Sequence, residues 1–557
     1  MGKPTAREAR TATRKGKARK RHDAAARRDL APVPSPPLPA PPEAPEAPAA
    51  ARLAFPIAAG ILVLSCALFV LAPLHDYDLW WHLSVGQWMV EHGSFYDTEV
   101  FTFPLEGQAV VNKWGWLSEI ILYAVHSFGE IWGGGLWALF GLKMALVGFI
   151  VWRLWAIGVR RFARSPFWVA VVLVAALFLA GGCWWMRPYL LQYAVAIVSL
   201  ELLIAAKETG RWRLLAWVPL LQVVAINTNQ SGLVCLALTG IFFGGEVLES
   251  LPERRWRKRE HQRRIASFAI TAAATLAASG VNPVGLRVLN LFTYTQPGSE
   301  PWHAIGTFKI GEWMSPFSEE AIASGLTLLL LGFVAAVAAY ILWRIQDAPV
   351  TYLLLVAAAA YLGLKNVRHS LLLATVGVAG VMAYLPSRAW QPKSLATAFV
   401  PLAVALAGLW AHHEYTALAY PAVSFRECLA PRVIEARDAA RTLAAAHPDA
   451  RVFNTMGLGG ALTWFSGNRL ENFVDGRLIS PQNLEEHNRI YYGPPSERQA
   501  LLQKYAIDTL FLDVLPESAA GETLIHSELA YGPDALEKWE PVYRGSEVVV
   551  FHAKQPH

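Results

Sequence analysis

The chain has 557 residues, of which 54% are hydrophobic and only 17% charged, with 22 tryptophans. That balance is too apolar for a water-soluble protein of this length and defines a polytopic membrane protein. The net charge of +6 does not point to nucleic acid, because 11 Lys and Arg lie within residues 1–30 and most of the others fall in short loops between apolar runs, the distribution that orients a membrane protein.

Residues 1–51 form a basic and then Pro/Ala-rich arm, expected to be extended and cytoplasmic. The first apolar run, 53–74, follows it as a signal anchor rather than a cleaved signal peptide. Further spans are predicted at 134–158, 166–183, 189–206, 214–226, 232–249, 265–280, 321–343, 349–364, 370–385 and 394–410, about eleven in all by hydropathy. The apolar stretch 116–128 is too short to cross and suits a helix in the outer interface. With that choice the basic loops 160–164, 207–213 and 254–264 are all cytoplasmic, whereas the opposite loops carry isolated bases. Odd parity then puts the tail, 411–557, on the extracytoplasmic side. Alternating helical and strand-like segments there, among them 431–446, 451–454, 496–505, 509–512 and 547–551, predict a small α/β domain. Its glycines, Gly457-Leu-Gly-Gly460, make no GxGxxG or P-loop fingerprint. Cys66, Cys183, Cys235 and Cys428 show no paired spacing, so neither a disulfide framework nor a zinc site is indicated.

The run His75-Asp-Tyr-Asp-Leu-Trp-Trp-His82 begins where the first span ends. Titratable groups at membrane depth are costly and are retained for function more often than not, although Trp and Tyr also belong to ordinary interface belts. The predicted topology gathers Asp76, Asp78, His82, Asp97, Glu99, Arg187, Asn227, Asn229, Glu312, Lys365, Arg368 and His369 at or just beyond outer span ends. Each has a plainer reading. Asp97 suits a turn, Arg187-Pro188 a cap, and the bases can snorkel to lipid headgroups.

A first span, a long outer loop (75–133) opening with an acidic pair, an interfacial helix and a span ending in cytoplasmic arginines together resemble the GT-C membrane glycosyltransferases. That superfamily includes protein O-mannosyltransferases, lipid A aminoarabinose transferases and oligosaccharyltransferases. The chain is most similar to a bacterial group in that class. The resemblance is carried by Asp78-Leu-Trp-Trp-His-Leu-Ser-Val-Gly86, Trp116-Leu-Ser-Glu119, Arg187-Pro-Tyr, Val281-Asn-Pro-Val-Gly-Leu286, Glu312-Trp, Arg368-His369, Gly459-Gly460 and Val474-Asp-Gly-Arg477, from about residue 70 onward. Two positions depart from it. Gly115 stands where many relatives carry an acidic or amide residue, and Asn227-Thr-Asn229 replaces an Asn-x-His pattern.

The resemblance implies a GT-C-like transmembrane domain over 52–410 in a bacterial inner membrane. It also implies transfer of a sugar from a polyprenyl-phosphate donor to an envelope acceptor outside the cytoplasm. Asp76 and Asp78 are then the expected catalytic carboxylates, and a divalent cation, Mg or Mn, would relieve their repulsion, since some members of the class use a metal and others do not. Arg187, Lys365, Arg368 and His369 are the expected phosphate ligands, with His82, Asp97, Asn227 and Glu312 as further substrate contacts. The alternative is a non-catalytic envelope component that binds a lipid-linked glycan or a protein partner through the same face.

Overall fold

The computed structural model describes residues 49–110, 115–180, 183–229, 232–290, 315–319, 322, 326–347, 349–390, 427–477, 479–514 and 538–554. Most of the basic arm, the expected span 394–410 and Glu312 lie outside them.

Helices cover the other expected spans. They are α1 (Ala49–Val70), α4 (Gly135–Ala156), α5 (Pro166–Ala180), α6 (Pro188–Thr209), α7 (Trp217–Thr228), α8 (Val234–Ser250), α9 (Arg259–Ala278), α10 (Leu326–Trp343), α11 (Val350–Lys365) and α12 (Val367–Met382). Two apolar helices among the described residues, Gly135–Arg161 and Pro188–Thr209, are by themselves long enough to cross a bilayer. The outer loop is helical as well, in α2 (Asp78–His92) and α3 (Trp116–Glu130). Local chemistry sets several of these ends. Pro188 starts α6 at a position where its missing N–H costs nothing, and Gly93 ends α2 with φ 61°, its N–H donating to Met89 O.

The tail carries α13 (Pro431–Ala446), α14 (Gly459–Phe465), α15 (Pro481–Tyr492) and α16 (Pro495–Lys504) around one mixed sheet. Its strands are β1 (Val452–Asn454), β2 (Thr509–Asp513), β3 (Trp539–Arg544) and β4 (Val548–Ala553), in the order β1-β2-β4-β3. Only β1 and β2 run parallel, in register from Val452 opposite Thr509, and the other two pairs are antiparallel. Strand β2 is buried along its whole length, so Leu510, Phe511 and Leu512 serve cores on both faces of the sheet.

Outer loop and tail share a single hydrophobic core. Leu79, Trp80, Leu83 and Leu122 of α2 and α3 pack with Leu429, Val433, Leu462 and Phe511, and the Trp80 ring lies 4.7 Å from that of Phe465. Backbone bridges pin the two pieces at both ends: Leu74 N–H donates to Cys428 O at 2.8 Å, and Asn472 N–H to Phe101 O at 2.8 Å.

Between these pins lies a buried charge network. Arg477 donates to Asp475, Glu99 Oε2 (2.9 Å), Tyr96 Oη (2.9 Å) and Thr102 Oγ1 (3.0 Å), while Glu99 Oε1 accepts the Phe101 and Thr102 N–H groups at 2.8 Å each. Burial opposes the Arg477 charge, but Asp475 and Glu99 outweigh it and hold the guanidinium pKa well above its ordinary value. Removing one member leaves the others charged and unpaired in a dry site. Arg477→Met should therefore lower the unfolding free energy by about 3–5 kcal/mol, read by thermal unfolding in detergent. A loss no larger than that of an exposed Arg469→Met control would show that the network does not hold loop to tail.

Candidate functional site

The acidic pair sits where α1, α2, α6 and the tail meet. Asp76 is buried in the turn after α1, and its Oδ1 accepts the Asp78 N–H at 2.9 Å. That bond curls the chain so that the two carboxylates converge instead of pointing to opposite sides, as they would in an extended strand. Arg187, immediately before α6, closes the cluster. Its Nε–H donates to Asp76 Oδ2 and its Nη2 stands 3.3 Å from Asp78 Oδ2, so one guanidinium bridges both acids. The Trp185 ring supports the guanidinium, with its centroid 4.9 Å from Arg187 Cζ.

The two acids are not equivalent. The Asp76 side chain is 2% exposed and the Asp78 side chain 23%. Burial raises the Asp76 pKa above the usual carboxylate range, with Arg187 acting in the opposite direction. His75, against the edge of Trp185, is held down to about 4 by burial, with Lys143 and Arg187 nearby adding to the shift, and is therefore a neutral ring at physiological pH.

The tail forms the opposite wall. A Cβ at Gly476 would collide with Asp78 Oδ1 and come within 3.2 Å of Trp81 Nε1. A Cβ at Gly460 would meet Trp81 N at 2.9 Å, and one at Gly457 would reach the Tyr77 ring. Glycines that carry no nucleotide fingerprint thus act as a smooth face on which the start of α2 rests. Trp81 Nε1 is buried there with no hydrogen-bond partner among the described residues. Beside it, Arg432 pairs with Asp513 and lies over the Tyr77 ring at 4.7 Å.

Other residues singled out in the sequence divide into three groups. Arg368 lies over Tyr189, the second residue of α6, with its Cζ 5.6 Å from the ring centroid. His369 follows it, and Lys365 is exposed one turn earlier. His82 lies one turn along α2 from Asp78, on the same face, and contacts Glu119 of α3 at 3.2 Å. Asp97 and Asn227 stand apart. Asp97 is an exposed turn residue, and the buried acid of that turn is Glu99. Asn227 accepts from Trp116 Nε1 at 2.6 Å and donates to Val281 O at 2.8 Å, tying α3 and α7 to the turn after α9. Glu312 lies outside the described residues. Sequence reading quoted Tyr77, Glu119 and Gly476 within motifs without giving them a role, and passed over Lys143. Lys143 is the most visible of these, a lone base in an apolar run, and it donates to Ala72 O at the end of α1.

No protein-family model and no curated protein matches the sequence. Solved structures do. The oligosaccharyltransferase of Archaeoglobus fulgidus, crystallised with a tethered acceptor peptide containing an NVT sequon, superposes with a TM-score of 0.55 at 11% identity, over 90% of this chain and 74% of that one. The same archaeon's oligosaccharyltransferase AglB, in complex with an inhibitory peptide and a dolichol-phosphate, gives 0.53 at 11% identity, over 88% and 72%. At such identities the likeness is one of fold, and these fold neighbours are GT-C glycosyltransferases.

Gly476→Ala tests the cradle. It should lower stability by about 1–3 kcal/mol through overpacking against Asp78, while Gly141→Ala, where nothing lies within 4 Å of the added Cβ, should be neutral or slightly stabilising. Equal thermal shifts for the two would separate the tail from the acidic pair.

Proposed function

We propose that this chain is a GT-C-type glycosyltransferase that moves a sugar from a polyprenyl-phosphate donor to an envelope acceptor at the outer face of a bacterial inner membrane. The observation that carries the reading is the convergence of Asp76, Asp78 and Arg187 at the end of the first span of a GT-C fold. The dolichol-phosphate bound by the archaeal enzyme supports a polyprenyl phosphate as the ligand class.

In this reading Asp78, the more exposed acid, is the base. It takes the proton of the acceptor's nucleophilic group as that group bonds to the anomeric carbon. The bond from that carbon to the phosphate oxygen breaks with inversion, and its electron pair leaves on the phosphate. Asp76 does not react. Its buried carboxylate holds Arg187 and the Asp78 backbone in place. Arg368, which lies over Tyr189 two residues after Arg187, stabilises the departing phosphate, whose charge grows as the bond breaks.

The rival reading, a non-catalytic component binding a lipid-linked glycan, draws on one observation. The Asp76–Arg187 pair is as deeply paired as a purely structural staple would be. Purified protein assayed against a panel of polyprenyl-phosphate sugars decides between them. Asp78→Asn should lower transfer about 100-fold or more with folding intact, whereas Asp76→Asn should chiefly lower thermal stability. Arg368→Gln should weaken donor binding, and Arg368→Lys should restore only part of it, because a point charge replaces a bidentate fork. Donor affinity unchanged in Arg368→Gln removes that residue from the site, and no turnover from any donor favours the rival.

The outer location of site and tail is tested by labelling. Cysteine at the exposed tail position Gln482 should react with a membrane-impermeant maleimide once the outer barrier alone is opened, and cysteine at exposed Lys258, in the basic loop, should not. The reverse pattern would put the site in the cytoplasm.

A further inference from the structure

Two carboxylates that converge where a phosphate would leave invite a divalent cation, and the donor atoms around Asp76 and Asp78 test that directly. A bound Mg or Mn needs several oxygen ligands at close range, with room for water in its first shell. Here three of the four carboxylate oxygens already face a donor. Asp76 Oδ1 accepts the Asp78 N–H at 2.9 Å, Asp76 Oδ2 accepts Arg187 Nε–H, and Asp78 Oδ2 faces Arg187 Nη2 at 3.3 Å. Gly476 packs close to Asp78 Oδ1, so the partly exposed Asp78 is the one acid left to meet an acceptor, and one carboxylate does not supply the several oxygens that an ion needs.

Neighbouring ligand types are likewise engaged. His82 Nδ1 is on Glu119, and His75 Nδ1 is on Pro73 O at 2.9 Å. Among the described residues, no group of three or more His, Cys, Asp or Glu is arranged to hold a metal ion. A dication placed between the acids would also stand against a guanidinium that is itself buried.

We infer that Arg187 is the resident cation of this site, standing between Asp76 and Asp78 where a divalent metal would otherwise sit and making sugar transfer independent of divalent ions. The positioning follows from bond geometry. A planar guanidinium offers Nε and Nη2 on one edge, so a single side chain satisfies two carboxylates in fixed relative orientation, as a lysine could not. It is supplied at the N-terminus of α6, whose dipole adds positive potential at the same place. Arg187 acts through the carboxylates, which makes it a positioning residue. It keeps Asp78 aimed, while Asp76 spends its charge on the arginine.

The turnover arm of the test rests on the glycosyltransferase reading; the metal-binding arm does not. Full-length protein, purified with EDTA, is titrated with Mn2+ alone and followed by electron paramagnetic resonance, alongside Asp78→Asn, Arg187→Gln and the Arg187→Gln/Asp78→Asn double variant. The wild type should show no Mn2+ site that Asp78→Asn abolishes. Arg187→Gln, which bares both acids, should gain one, and the double variant should lose it. Transfer by the wild type should stay within about twofold after EDTA treatment. A Mn2+ site in the wild type that Asp78→Asn removes, or transfer abolished by EDTA and restored by Mn2+, overturns the inference. If Arg187→Gln does not fold, the comparison of wild type with Asp78→Asn still decides. If no donor is turned over, the glycosyltransferase reading fails while the Mn2+ titration continues to judge the assignment of Arg187.

Discussion

A carboxylate buried at the end of an apolar span is tolerable only when its charge is answered on the spot, and the Asp76–Arg187 pair is that answer here. The rest of this face is arranged around it. Arg187 must reach across from the start of α6, which fixes that helix against the turn after α1. The same turn must curl for Asp76 to accept the Asp78 N–H, which starts α2 at Asp78 with its acid in the favourable first turn. Asp78 thereby comes to lie between a guanidinium and a glycine. Loss of the arginine would strand two like charges a few ångströms apart, one of them in a site with almost no water to screen it.

The second organising contact is between outer loop and tail. Residues far apart in the chain form one core and one ion network there, with Arg477 pairing Glu99 of the loop and Asp475 of its own turn. The tail therefore does more than decorate the membrane helices. It sets the face against which α2 rests, and through Gly476 and Gly460 it determines how closely backbone can approach Asp78 and Trp81. A separate outer domain joined by a linker, which the drop in hydropathy after residue 410 suggests, would have left that surface of α2 apolar and bare. Leu79, Trp80 and Leu83 are instead buried beneath tail side chains.

What was legible in the sequence follows the range of the interactions involved. Run length and hydropathy located helices at most of the expected spans, and Arg187-Pro188 was legible as the cap that starts α6. The short run at 116–128 emerged as α3, of 15 residues. The tail's strands at Val452–Asn454 and Thr509–Asp513 were visible as β-rich runs. Strand β3, Trp539–Arg544, was missed because its Glu, Pro and Arg give a half-exposed edge rather than an alternating pattern. The helix α2 was read as loop, since its Trp, His and Ser residues are burial-driven and show no clean period.

The sequence by itself determined the class of protein, the approximate helices and the presence of titratable residues at the edge of the first span. All of these depend on local composition or spacing of a few residues. Only the tertiary structure decided which charges meet. Arg187 and Asp76 are separated by 111 positions and Arg477 and Glu99 by 378, and no local pattern encodes such pairings. It also distinguished Glu99 from Asp97 two positions away, because a turn buries one carboxylate against backbone N–H groups and leaves the other in solvent. Asn227 passed from candidate ligand to interhelical tie for the same reason: a buried amide is claimed by whatever polar groups packing brings to it, and those are set by the whole fold.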